Sequence, residues 1–579
     1  MRNVALLLAL VSAPASAQNL DLLHQVIDID LTAAPVTTVH LVIDLEILGP
    51  STTLDLLIPP GTISELLVDG VVTAARPHPQ GPSLAIQVPF ASEKQAGERV
   101  RVEMTSSGAI SCRRAGSTEC FRTAMLTVFP PAAPAAAWHA LNLWWSDAFT
   151  AEVQVRVPAG QKVITGQGEP RSVTALADGT ERWVFDASTA VVGLELVAGA
   201  FEKIDAPNAA RASAYYLPGA VDTAKLAQAV DLAASLLPVY DRLFGAAPID
   251  RVRLIAVPRG LPFGGIGLLG TVLFGDYVFG ELDYLLVQGT AHELAHTWWG
   301  NMTGAGDSAE AGFFNESFAE YSAWRGLGEL QGPAVRTSGV RMNAVWYMYR
   351  RPEDRDIAIL DPAIEDSDLF VWVTYHKASV ALRALETRTG TAAFDRVLKR
   401  MVQLGVSNVT SDRFITALSE ESGRDLSAEA GGWLRGVGFP HLTASAEIIG
   451  SEVVVRVSND GAQTMLLPVR LTDASGRTTE GTVDIAAGTV EARIAFTGAR
   501  PVLVELDPTW TAPREIIPEV VGDVTFDGEV DALDLIEVAL RHGGDLATER
   551  RKDGGYDPLY DIDGDRRIGG ADLAAISLR

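Results

Sequence analysis

Cysteine is almost absent from this chain of 579 residues: there are two, Cys112 and Cys120, with a Gly-Ser turn between them. A cysteine-built metal centre would need more ligands nearby, so in an exported chain the pair reads as a local disulfide clip that shapes a loop. Positive charge is also scarce. Lys and Arg number 47 against 73 Asp and Glu, for a formal net charge of -26, which argues against nucleic acid or an anionic membrane as partner, because those surfaces select a basic footprint. After the first residues no apolar run is long enough to span a bilayer. No Gly-x-Ser-x-Gly occurs, and with it goes the usual serine-hydrolase elbow.

What is present begins with an address. Met1-Arg-Asn precedes the apolar run Val4–Val11 and then Ala15-Ser-Ala17, so residues 1–17 read as a cleavable secretory signal and the mature chain starts at Gln18. The expectation is a secreted or cell-surface protein. A hydrophobic content of 47% over this length can bury several cores, and the length prior allows about three to five units.

The stretch Thr290–Asn301 carries His292 and His296, four residues apart. On a helix that spacing stacks both imidazoles on one face, where they can grip one metal ion. Glu293 follows the first histidine and is placed to take a proton from the attacking water and pass it to a leaving amine. Catalytic zinc usually takes three protein ligands. Glu316, in Phe313-Phe-Asn-Glu-Ser-Phe-Ala-Glu-Tyr321, is the candidate for the third, because the apolar residues at 313, 314, 318 and 321 mark a helical stripe. Glu320, one turn later, reads either as a group orienting a ligand histidine or as an exposed carboxylate.

His292-Glu-Leu-Ala-His296, Trp298-Trp-Gly-Asn301 and Asn315-Glu-Ser-Phe-Ala319 together resemble the signature of the gluzincin zinc aminopeptidases, the family of membrane alanyl aminopeptidase and leukotriene hydrolase. The gap from the second histidine to the glutamate is one residue longer than the family's usual spacing, which implies a one-residue loop insertion. Val373-Thr-Tyr-His-Lys-Ala resembles the family's Tyr-x-Lys-Gly-Ala segment, so the resemblance gives Tyr375 the role of catalytic tyrosine, donating to the developing oxyanion; His376 beside it has no assigned role. Where the family carries Gly-x-Met-Glu-Asn on a strand edging the substrate cleft, this chain has Pro262-Phe-Gly-Gly-Ile-Gly-Leu-Leu-Gly270, with no carboxylate. Gly264 and Gly265 there allow close approach of an extended peptide backbone. The same stretch formally matches a dinucleotide fingerprint, but Thr271-Val-Leu-Phe274 follows it with strand rather than helix formers.

The fold expected is multidomain α+β. Residues 18–203 alternate in the strand manner and resemble the family's amino-terminal β-sandwich or saddle domain. Residues 204–439 form a mainly helical, thermolysin-like catalytic domain, and 440–512 a small β-sandwich. The last stretch, 513–579, holds an internal repeat. Asp523, Thr525, Asp527 and Asp534 in one copy, and Asp561, Asp563, Asp565 and Asp572 in the other, stand at loop positions 1, 3, 5 and 12, a spacing of oxygen ligands that suits calcium. Asp at the last position followed by Leu resembles the dockerin module, which implies two structural calcium ions and a cohesin-like docking partner. Gly528 takes the sharp-turn position in the first loop and Arg566 in the second.

The sequence therefore predicts an exported zinc metallopeptidase acting on peptides, with exo- against endopeptidase action left open. The alternative is a catalytically retired peptidase fold that serves as a secreted binding or docking protein.

Overall fold

The computed structural model describes residues 19–33, 36–59, 61–78, 85–109, 121–122, 125–128, 138–142, 147–191, 193–206, 211–257, 264–279, 283–304, 310–352, 355–365, 367–405, 408–526, 529–545 and 556–577. The signal segment, Cys112, Cys120, Asp527, Gly528 and Glu281 lie outside these. Two compact units are present, 1–311 with 402–409, and 312–401 with 410–579.

The first unit is β-rich at its start, as the alternating pattern predicts. Strand Phe149–Pro158 buries every second residue, so one face supplies Val153 and Val155 to a core shared with Ile27, Ile29, Leu41 and Ile43. It sits inside an eight-stranded sheet, parallel to Leu20–Asp30 and antiparallel to Thr180–Val191. A second, five-stranded sheet follows. Its middle strand Val252–Val257 is buried at every position, as expected of a strand covered on both faces, and runs parallel to both neighbours, Ala212–Tyr216 and Thr271–Gly275. Apolar residues fill all but one of its positions, the exception being the buried Arg253. Helix Thr223–Phe244, capped by the Asp222 side chain, packs against helix Asp283–Ala295, with the Tyr240 hydroxyl donating to the Ala291 carbonyl at 3.0 Å.

A buried carboxylate lies beside the second sheet. Glu195 accepts from the Thr271 hydroxyl at 2.7 Å and from the Gly166 N–H. Burial pushes its pKa up to about 7 despite those donors.

The second unit opens with helices Phe318–Gln331, Pro333–Arg350 and Ala378–Thr389. Two further sheets follow: Gly488–Ala495, Glu452–Asn459, His441–Ile449 and Glu515–Pro518 in one, and Thr478–Ile485, Met465–Asp473 and Pro501–Leu506 in the other. Strand Glu515–Pro518 pairs parallel with His441–Ile449, so the sheet reaches beyond residue 512. In the tail each acidic loop runs into a short helix, Ala532–Leu540 and Gly570–Ser577. The tail is bonded to its own unit: Val504 N–H donates to the Thr525 carbonyl at 3.1 Å, and an Arg341 Nη to the Tyr556 carbonyl at 2.6 Å. Among the described residues no helix is long and apolar enough to cross a membrane.

Candidate metal centre

Helix Asp283–Ala295 delivers His292 and Glu293, and the bond from His296 N–H to the His292 carbonyl at 3.3 Å carries its geometry one residue further. The two Nε2 atoms consequently face each other at 3.2 Å. Both rings are buried. His296 Nδ1 lies 2.9 Å from the Trp299 carbonyl, which can only accept, so Nδ1 carries the proton and the Nε2 lone pair is left for a metal.

The Trp-Trp-Gly-Asn turn is what holds this ring. Gly300 adopts a φ of 99°, a backbone conformation that favours glycine, and the Thr303 N–H returns to the Trp298 carbonyl at 2.9 Å. Asn301 then reaches back, its Nδ2 donating to the His296 carbonyl at 2.7 Å and to the Gly267 carbonyl at 3.2 Å. The sequence motif contains Asn301 but gives it no task; here it ties the histidine turn to the glycine strand.

That strand, Gly265–Leu268, is the edge of the five-stranded sheet. Gly275 N–H donates to the Gly264 carbonyl, so Gly265 and Gly267 occupy the wide positions opposite Phe274 and Val272, and their own N–H and C=O groups face away from the sheet, where the Gly267 carbonyl already accepts from Asn301. Their bare Cα atoms face the histidine helix. A Cβ on Gly265 would come 2.7 Å from the Glu293 side chain, and one on Gly267 would overlap the Glu293 carbonyl and lie 2.6 Å from the His296 Cβ. Gly264 is less confined, its nearest neighbour for a Cβ being Val278 at 3.8 Å. Gly265 thus has a second reason to be glycine besides an approaching peptide: it leaves the volume that the Glu293 carboxylate fills.

Glu316 stands on a π-turn, Phe313–Ser317, rather than a plain α-turn. One ligand atom each from His292, His296 and Glu316 lie within 4.8 Å of one another, a donor set of two imidazoles and one carboxylate that suits zinc. Glu320 is not an exposed carboxylate. It is buried, and its Oε1 accepts from Trp324 Nε1 at 2.8 Å and from Asn343 Nδ2 at 2.9 Å. Tyr375 also lies on a π-turn, Val371–Lys377, with Phe370 edge-on at 6.0 Å.

In the tail, ligand atoms of Asp561, Asp563 and Asp572 lie within 4.8 Å of one another. The described residues of the two loops share a set of bonds. Thr525 N–H donates to Asp534 as Asp563 N–H does to Asp572, and Asp531 N–H and Gly569 N–H reach the other oxygen of the same two carboxylates. Asp565 lies in the turn, its N–H donating to Asp563 and its carboxylate accepting from Arg567 N–H. Arg566 takes the sharp turn at a φ of 70°.

A helical His-Glu-x-x-His with a glutamate on the next helix is a gluzincin type of site. Residues 280–433 match the Peptidase family M1 domain. The chain is 25% identical over 323 residues to "Probable aminopeptidase 1" of Sulfurisphaera tokodaii, covering 51% of this chain and 39% of that protein. It is likewise 25% identical to the "Puromycin-sensitive aminopeptidase" of Caenorhabditis elegans, over 49% of this chain and 32% of the relative. "Aminopeptidase 2, mitochondrial" of Saccharomyces cerevisiae matches at 25% identity over 38% and 24%. In each case the match spans less than two fifths of the relative's length. These similarities support the M1 gluzincin aminopeptidase family.

Proposed function

We propose that this protein is a zinc metallopeptidase that hydrolyses peptide bonds. The observation that carries the reading is the convergence of His292, His296 and Glu316, with Glu293 on the same helix as the histidines. The His296 tautomer fixed by Trp299 fits a metal at Nε2. Zinc bound there would supply a Lewis acid that polarises the scissile carbonyl. Glu293 takes the proton of the attacking water and delivers it to the leaving amine; Tyr375 donates to the oxyanion.

Substrate is held as an added strand on the Gly265–Leu268 edge, through backbone groups rather than side chains. That strand carries no carboxylate to pair with a terminal ammonium, and the lack of room at Gly265 and Gly267 supports the view that no side chain there takes the task. The enzyme on this reading accepts amino-blocked and internal peptide bonds as well as free termini. The test is the ratio of kcat/KM on a peptide and its amino-acetylated twin, with and without a chelator. Both activities should vanish on zinc removal and the ratio should lie near one. A strong preference for the free amine would refute the open-ended specificity, and its loss when the nearby acidic residues Asp276 and Glu281 are neutralised would assign the terminal amine to a substitute carboxylate; chelator-resistant turnover would refute the zinc reading.

The proposal extends to an exported protein whose tail binds calcium and docks to a partner. Support comes from the two loops' shared bonding and from unmet polar groups in both: Thr525 Oγ1 and Asp561 Oδ1 have no hydrogen-bond partner. Burial raises the Asp561 carboxyl above its usual range, and the neighbouring Asp572 adds to the shift. A cation would relieve both. Calcium titrated into the whole protein should therefore give binding heat and protect 521–579 from protease; no heat at millimolar calcium would remove this part of the proposal.

A further inference from the structure

Two residues that the chemistry needs stand on separate π-turns, Glu316 on Phe313–Ser317 and Tyr375 on Val371–Lys377. Each turn runs directly into an α-helix, Phe318–Gln331 and Ala378–Thr389. π-Turns are rare, and they gather at functional sites because one extra residue per turn re-aims the side chains. They also break the regular ladder, so something else must fix their register.

Two connections do so. Ser317, next to Glu316, donates through Oγ to the carbonyl of Thr374, next to Tyr375, at 2.7 Å. The second runs through Asn343 on helix Pro333–Arg350. Its Nδ2 donates to Glu320, one turn beyond Glu316, at 2.9 Å, and its Oδ1 lies 3.0 Å from His376 Nδ1, beside Tyr375. Oε1 of Glu320 already accepts from the Trp324 indole N–H, which can only donate, so the Asn343 amide presents its nitrogen to Glu320 and its oxygen to His376. Nδ1 of His376 consequently carries a proton. Ser379 closes the mesh, its Oγ 3.2 Å from Asn343 Nδ2 and donating to the His376 carbonyl at the same distance. Trp346 stands edge-on to His376 with ring centres 5.0 Å apart. Ser317, Thr374, Asn343, Glu320 and His376 are all buried, so bulk water does not substitute for a lost partner.

We propose that Ser317, Asn343 and His376 are positioning residues that set Tyr375 against Glu316 and so set where the oxyanion donor stands. This rests on the zinc-peptidase reading above. A displacement of the phenol of about 1 Å is enough to matter, since misplacements of that size can cost on the order of a hundredfold in rate.

The test is a double-mutant cycle of Ser317→Ala with Tyr375→Phe. Ser317→Ala alone should lower kcat by about 10- to 100-fold, the range for partners that orient a catalytic group, with KM little changed. Zinc affinity, read by competition with a chromogenic chelator, should match the parent. In the Tyr375→Phe background the same substitution should cost almost nothing further, because the group it positions is already gone. His376→Asn, whose amide can donate in place of Nδ1, should keep more turnover than His376→Leu. Additive losses in the cycle, equal losses from the two His376 variants, or a fall in zinc affinity in Ser317→Ala would each overturn the inference. A parent protein without chelator-sensitive turnover would end this inference together with the reading beneath it; an active parent with an additive cycle would end this inference alone.

Discussion

Glu293→Gln is expected to keep its zinc and lose turnover by about a thousandfold, within the range that a positioned acid–base group contributes. The separation of the two effects follows from geometry. Glu293 is not among the three grouped donors, which are His292, His296 and Glu316, so its replacement leaves them intact. Glutamine has the same shape, and the space left by Gly265 holds it as it holds the carboxylate. What glutamine cannot do is accept a proton. A thousandfold corresponds to roughly 4 kcal/mol of transition-state stabilisation. Zinc content by elemental analysis and kcat on one blocked peptide decide it: wild-type turnover in the variant, or loss of zinc in parallel with turnover, would remove Glu293 from the role of base. His292→Ala is the contrasting variant, since it deletes a donor and should lose both.

The site was more legible in the sequence than its surroundings, for a physical reason. His292 and His296 are read from spacing because an α-helix converts four residues into one shared face, and the strand character of Thr271–Gly275 follows from its residue types, whereas that of the glycine-rich Gly265–Leu268 comes from the family resemblance. Tyr375 needed the family resemblance, since a tyrosine in an apolar stretch has no period or spacing of its own. The π-turns under Glu316 and Tyr375 left no mark: no residue type encodes an i→i+5 bond, which depends on what the freed groups find in the packed protein. The one-residue excess between His296 and Glu316 was assigned to a loop, yet a π-turn also holds one more residue than an α-turn, so Phe313–Ser317 offers that excess a place within the helix. Glu320 and His376 show the same limit. From sequence the first has two readings and the second no role, whereas the fold joins both through Asn343, more than twenty residues away from Glu320 and more than thirty from His376. The tail shows the limit from the other side. Its repeat was evident from spacing, but its bonds to Val504 and Arg341 were not, because they join segments that no local pattern relates.

Tyr375→Phe should lower kcat by about a hundredfold or more while leaving KM and zinc affinity little changed, the scale on which one oxyanion donor is felt. Phenylalanine keeps the ring that packs edge-on to Phe370, so the change isolates one hydroxyl. The bond that anchors the π-turn beside this residue runs from Ser317 to the Thr374 carbonyl and does not involve the phenol, so it survives the change. A hydroxyl that served only the ground state would raise KM and spare kcat; one that meets negative charge in the transition state does the reverse. The distinction extends to inhibitors. An uncharged peptide analogue should bind the variant as it binds the parent, whereas a tetrahedral phosphinic analogue, which carries the oxyanion's charge, should lose affinity by about the factor lost in kcat. Unchanged kcat, or equal losses for both analogues, would return Tyr375 to an ordinary aromatic of the helix interior and leave the oxyanion to another donor.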